Sequence, residues 1–157
     1  KTLIHIIPTL ENGGAETVLS RLVEEFSEND IEQFVITSQG TTTIFITHNN
    51  KYATIVDWKT NPEGVEQIIL QNRKAPIVAW MYSAIFLLHK LKFRLKTEHP
   101  VFWNIRHSSF RWNQIYQKLS LFAFSFYSRF KQPKIIYCSH RAKEVHEIIF
   151  FPKNFSK

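Results

Sequence analysis

The stretch Leu3–Arg21, LIHIIPTLENGGAETVLSR, limits what the chain can fold into more than any other part of it. Leu3 to Ile7 is too short for a helix and rich in β-branched residues. It reads as a strand covered on both faces, the kind found inside parallel sheets. Pro8 lacks the N–H that would continue a ladder and ends the strand. Asn12, Gly13 and Gly14 permit positive φ and close backbone approach, and from Ala15 the apolar residues Val18, Leu19, Leu22, Val23 and Phe26 recur at helical spacing. Such a strand–glycine–helix unit leaves free N–H groups and a positive dipole end at the helix start, which favour a phosphate. The pattern is not the three-glycine dinucleotide fingerprint, and Glu16 places a negative charge in the first turn, where it satisfies the dipole and repels a phosphate. Local chemistry therefore leaves two readings open, a plain strand-to-helix turn or a phosphate or sugar site.

Beyond this unit, strand and helix alternate. Ile31–Thr37 reads as a second strand, and Thr41–Thr47 and Ala53–Val56 as short strands joined by a turn at His48–Lys51, with His48 a solvated loop residue. Asn61-Pro62-Glu63 opens a helix with apolar Val65, Ile68, Ile69 and Leu70. Pro76–Trp80 is another buried strand. Ser83 is expected to cap a helix over 84–96 whose residues Ile85, Phe86, Leu88, Leu91 and Leu95 face inward, with Lys90, Lys92, Arg94 and Lys96 outside. Val101–Ile105 is a fifth strand, and 109–130 is expected to be helical, either as a core helix with a solvated basic side or as a membrane-contacting one. Lys134–Cys138 is a sixth strand, and Ser139 caps a last helix over 141–150. The alternation predicts a Rossmann-like, doubly wound α/β sheet with three layers.

With 157 residues and 44% hydrophobic content the chain is expected to form one ordered domain, 1–157. Its one cysteine, Cys138, excludes a disulfide framework, fits a reducing cytoplasmic compartment and is expected to be a core residue. No signal segment or membrane-length apolar run is evident. Charge is divided unevenly: residues 1–83 carry a net −4 and residues 84–157 a net +11. The basic half is also aromatic, a pairing that suits an anionic membrane surface, a nucleic acid or a phosphate-bearing substrate.

In doubly wound sheets ligands gather beyond the carboxyl ends of the strands. Those ends are Pro8–Gly14, Met81–Ser83, Arg106–Ser109 and Ser139–Arg141. Arg106 and His107 suit a phosphate or sugar hydroxyls, with Asn12 and the two glycines across the switch region; the other reading is a loop pair with a structural hydrogen bond. His140 and His146 fall on different sides of the last helix, and no metal site is expected.

Four stretches carry a family likeness in register: HIIPTLENGGAETVLSRL at 5–22, AWMYSA at 79–84, VFWNIRHSS at 101–109 and KIIYCSHRAKEVHEIIFFPKN at 134–154. Together they resemble the amino-terminal half of the group 1 (family 4) retaining glycosyltransferases, most closely the branch associated with bacterial O-antigen, lipopolysaccharide and capsular polysaccharide synthesis. The resemblance implies the GT-B fold, in which an amino-terminal acceptor-side domain and a carboxy-terminal donor domain face each other. The stretch 1–157 matches the first of these, so the likeness implies a donor domain beyond it and an inactive fragment without one. It implies transfer of a sugar from a nucleotide-sugar to a saccharide or lipid-linked acceptor, with no cofactor or obligatory metal, on the cytoplasmic side and peripheral to the membrane. Arg106 and His107 would be the catalytic pair, Gly13 and Gly14 would approach the donor phosphate and sugar, and Asn12, Tyr82, Ser83 and Asn104 would meet the acceptor. The chain departs from that branch at Ser83, where a histidine often follows Met-Tyr, and in the short region 38–60.

Two rival readings remain. One is a non-enzymatic Rossmann-like module binding a polyanion or membrane surface; nucleic acid is disfavoured, because no recognition motif is present and the aromatics alternate as core residues. The other, a dinucleotide-dependent oxidoreductase, lacks the third glycine and has Thr37-Ser38-Gln39 where an acidic ribose ligand would stand.

Overall fold

The computed structural model describes residues 1–11, 13–39, 51–106 and 134–149. The expected strand at 41–47, the turn at His48, the helix over 109–130, and residues Asn12 and His107 lie outside them. Within the described residues the chain runs β1 (Thr2–Ile7), α1 (Gly14–Glu28), β2 (Glu32–Thr37), β3 (Thr54–Asp57), α2 (Pro62–Gln71), β4 (Ile77–Trp80), α3 (Met81–Leu95), β5 (Val101–Ile105), β6 (Lys134–Tyr137) and α4 (His140–Ile149). The six strands form one sheet in the order β3-β2-β1-β4-β5-β6, and every pairing is parallel. This is a Rossmann-like, doubly wound fold.

The position of β1 follows from its composition. Ile4, Ile6 and Ile7 are fully buried, and β1 pairs with β2 on one side and β4 on the other. Its side chains alternate between two cores, as the pleat requires. Ile4 and Ile6 join Val65 and Ile69 of α2 and Ile85, Leu88 and Leu91 of α3 in the larger core. Ile7 points to the other face, with Leu10, Leu19 and Val23 of α1 and Trp80 at the end of β4. Helices therefore cover both faces of the sheet.

Three expectations are corrected. First, α3 begins at Met81, directly after Trp80, so Ser83 is an exposed first-turn residue and not the cap. Met81 takes φ 67°, the left-handed turn that lets the helix leave the strand without an intervening loop. Second, Phe86 faces solvent, 67% exposed, while Leu87 is buried, because Phe86 falls about 200° around the helix from buried Leu88. Third, Cys138 is exposed, because β6 ends at Tyr137 and the cysteine falls in the bend that follows. No helix among the described residues is long and apolar enough to cross a membrane.

Candidate functional site at the switch point

The chain leaves β1 toward β2 and leaves β4 toward β5, so the loops beyond these neighbouring strands diverge and leave a crevice at their carboxyl ends. The helices that follow show how this edge is built. Helix α2 is capped by Asn61, whose Oδ1 accepts from Gly64 N at 2.9 Å, and α4 by Ser139, whose Oγ accepts from Ala142 N at 3.1 Å. Helices α1 and α3, which flank the switch point, have no side-chain cap. The first-turn N–H groups of two helices are thus left for other partners at the one place where the topology opens the sheet.

Gly13 and Gly14 occupy this edge for different reasons. Gly13 is the N-cap of α1 in extended backbone, and its carbonyl accepts from Thr17 N at 3.0 Å and Thr17 Oγ1 at 2.9 Å. The Glu16 carboxylate folds back against it: a Cβ at position 13 would stand 2.3 Å from Glu16 Oε2. The acid in the first turn is therefore the local counter-charge of the helix dipole, and an arriving anion must displace it. Around Gly14 there is open space, with no atom within 4 Å of where a Cβ would stand. Pro8 anchors the loop, its carbonyl accepting from Gln39 N at 2.8 Å.

The other wall is assembled by β4 and β5. Trp80 is fully buried on the α1 face, and its indole Nε1–H donates to Nδ1 of His5 on β1 at 3.3 Å. The Arg106 guanidinium carbon stands 5.9 Å from the centre of the Trp80 ring, a cation–π placement that fixes the side chain at the mouth of the crevice. No described carboxylate forms an ion pair with Arg106, so its charge is free for an anion. Asn104 is the register partner of Trp80 and shares its face. It is buried, and its Oδ1 has no hydrogen-bond partner among the described residues. A buried acceptor of this kind is costly unless some donor reaches it.

Burial holds His5 well below the ordinary imidazole range, at about 4. It is thus neutral, as an imidazole accepting from Trp80 must be at Nδ1. Sequence reasoning did not single out His5 or Trp80 for this edge. The available signal was a lone histidine inside the apolar run LIHII, which needs a buried partner.

The remaining sequence-selected residues divide. Gly13, Gly14, Asn104 and Arg106 belong to the α1 side of the edge. Tyr82 turns to the opposite side, where its hydroxyl donates to Nε2 of His146, and His146 Nδ1 donates to the Ala142 carbonyl at 2.6 Å. Tyr137 packs beside them, its ring tilted at 47° to that of His146 and 5.8 Å from it. Burial pushes the Tyr82 hydroxyl above its ordinary range, so it stays protonated as the donor. This Tyr82–His146 pair ties α4 to α3, and Ser83 stands exposed beside it. Thr37, in the place of an acidic ribose ligand, donates to Asp57 Oδ2 at 2.6 Å, while Asp57 Oδ1 accepts from the N–H groups of Lys59 and Thr60 at 2.9 and 3.1 Å. That carboxylate is consumed in holding the turn after β3. A groove of about 750 Å³ also exists, but it lies at the amino ends of the strands, lined by Leu3, Phe26, Leu70, Arg73 and Lys74. There the two cations complement the carboxyl end of α2. Compared with protein-family models, with curated proteins and with solved structures, the chain matches none.

Proposed function

We propose that this chain is the amino-terminal, acceptor-side domain of a GT-B sugar transferase acting on a nucleotide-sugar and a saccharide or lipid-linked saccharide, in surface polysaccharide synthesis. The observation that carries the reading is the convergence at the switch point of an unpaired cation, Arg106, and a buried unpartnered acceptor, Asn104 Oδ1, opposite the open Gly14. A sugar hydroxyl is the donor such an acceptor requires, and a diphosphate is the anion that a free guanidinium favours, joined by the amino end of α1 once Glu16 is displaced. The four motifs in register supply the likeness to the family.

In this reading the bond between the anomeric carbon and the diphosphate oxygen breaks, and an acceptor hydroxyl bonds to that carbon with retention of configuration. The nucleoside diphosphate leaves with the electron pair, and the hydroxyl proton is lost to a base or solvent. Arg106 and the backbone N–H groups at Gly13 and Gly14 stabilise the departing charge, a preorganised electrostatic contribution. His107 is the second member of the proposed catalytic pair. Asn104 orients the sugar, and Glu16 swings away from Gly13 as the diphosphate enters.

NMR titration of the chain with UDP-glucose and with GDP-mannose tests this. The expected result is perturbation centred on Gly13, Gly14, Asn104 and Arg106, with affinity about tenfold weaker in Arg106→Ala, one charge-assisted contact being removed. Gly14→Ala should weaken binding while leaving stability unchanged or slightly raised, since the added methyl meets only open space. Shifts centred on Tyr82 and His146, away from Gly13, Gly14 and Arg106, would overturn the reading.

A further inference from the structure

The outer face of α3 carries two large apolar side chains that the fold does not use. Phe86 is 67% exposed and Phe93 88% exposed. They lie two helical turns apart and therefore side by side. Between them stands exposed Lys90, whose ammonium is 5.9 Å from the ring centre of half-buried Trp58. Lys96, at the carboxyl end of the helix, is exposed as well. Glu66 is taken by Arg94 at 3.0 Å, and no described carboxylate pairs with Lys90. The surface is thus aromatic and positively charged, on the half of the chain whose net charge is +11.

We propose that this face of α3 docks the protein onto an anionic lipid bilayer, with Phe86 and Phe93 entering the headgroup boundary and Lys90 and Lys96 meeting lipid phosphates and carboxylates. Charge decides the occupant. A second copy meeting this face would set Lys90 and Lys96 against their own equivalents, whereas an anionic surface is complementary to both. Size agrees: two phenylalanines on one helix fall far short of the roughly 800 Å² per partner of a stable protein interface, whereas peripheral membrane binding adds electrostatic attraction to a small apolar area. The proposal does not depend on the sugar-transfer reading.

Co-sedimentation with vesicles is the test. One set is phosphatidylcholine alone and the other contains about one-third phosphatidylserine, each at low and at high salt. The chain is expected to bind the anionic vesicles at low salt, to release at high salt and to bind neutral vesicles weakly. Phe86→Ser with Phe93→Ser should reduce partitioning at least about tenfold, and Lys90→Glu about tenfold, the effect of replacing attraction by repulsion. Because all three positions are exposed, unchanged circular dichroism is expected. The proposal fails if the wild-type chain ignores anionic vesicles, or if the double phenylalanine variant binds them as well as wild type does. It also fails if sedimentation shows a dimer that this variant dissociates.

Discussion

His5 has no place in a plain hydrophobic strand, and its burial has a cost that pH exposes. The folded protein holds this imidazole at about 4, against 6.5 in an unfolded chain. Between those values the unfolded state binds a proton that the folded state refuses, so stability rises with pH through the window and is lost as pH falls from about 6.5 toward 4. The size is on the order of 2 kcal/mol between pH 7 and pH 5. His89, also lowered to about 4 by burial, acts in the same direction, so the effect of His5 is isolated by difference. Urea midpoints of wild type and His5→Gln should diverge at pH 7 and approach each other at pH 5. Parallel pH profiles would show that His5 is not the group responsible. The Trp80 indole explains why a histidine stands here, since Nδ1 accepts its N–H in a place where leucine would leave that donor unpaired.

At the level of elements, the helix starts are of two kinds. Helices α2 and α4 close their amino termini with Asn61 and Ser139, whereas α1 and α3 open theirs at the switch point. Asn61→Ala should therefore cost about 1 kcal/mol, as N-cap losses do. The carboxyl end of α3 carries the opposite defect, because Lys96 sits at φ 49° where a glycine is unstrained. Lys96→Gly should stabilise by roughly 0.5–1 kcal/mol. Chemical denaturation of the two variants checks both signs; a stabilising Asn61→Ala or a destabilising Lys96→Gly would refute the account of these ends. Asn-Pro-Glu made the start of α2 legible in the sequence. The start of α3 was not, because Ser83 has the composition of a cap and nothing local announces that Met81 adopts a left-handed turn.

For the whole molecule, β1 is the keystone, paired on both edges and buried on both faces. Ile6, fully buried opposite Ile36 and Ala79, links three strands to the α2–α3 core. Ile6→Ala should cost about 3 kcal/mol or more, a large share of a typical domain's stability, whereas Leu70→Ala, at a position 36% exposed, should cost less than about 1 kcal/mol. Calorimetric midpoints that fell equally for the two would contradict the burial assignment.

The sequence by itself determined the fold class and most of its elements, since period-two apolar runs and helical stripes are local patterns written in a few residues. It also singled out Gly13, Gly14 and Arg106 as candidates, because they stand beyond the ends of readable strands, whereas Asn104 entered through the family resemblance. Tertiary structure alone decided the strand order, and with it which of the carboxyl-end loops became neighbours. It decided that Tyr82 serves His146 rather than the crevice, that Glu16 lies against Gly13, that Phe86 faces water and that Cys138 is exposed. The outcomes depend on how side chains pack once the elements meet, or, at Cys138, on a one-residue difference in where a strand ends. Local pattern does not specify such things, because register and packing are fixed only when the elements meet.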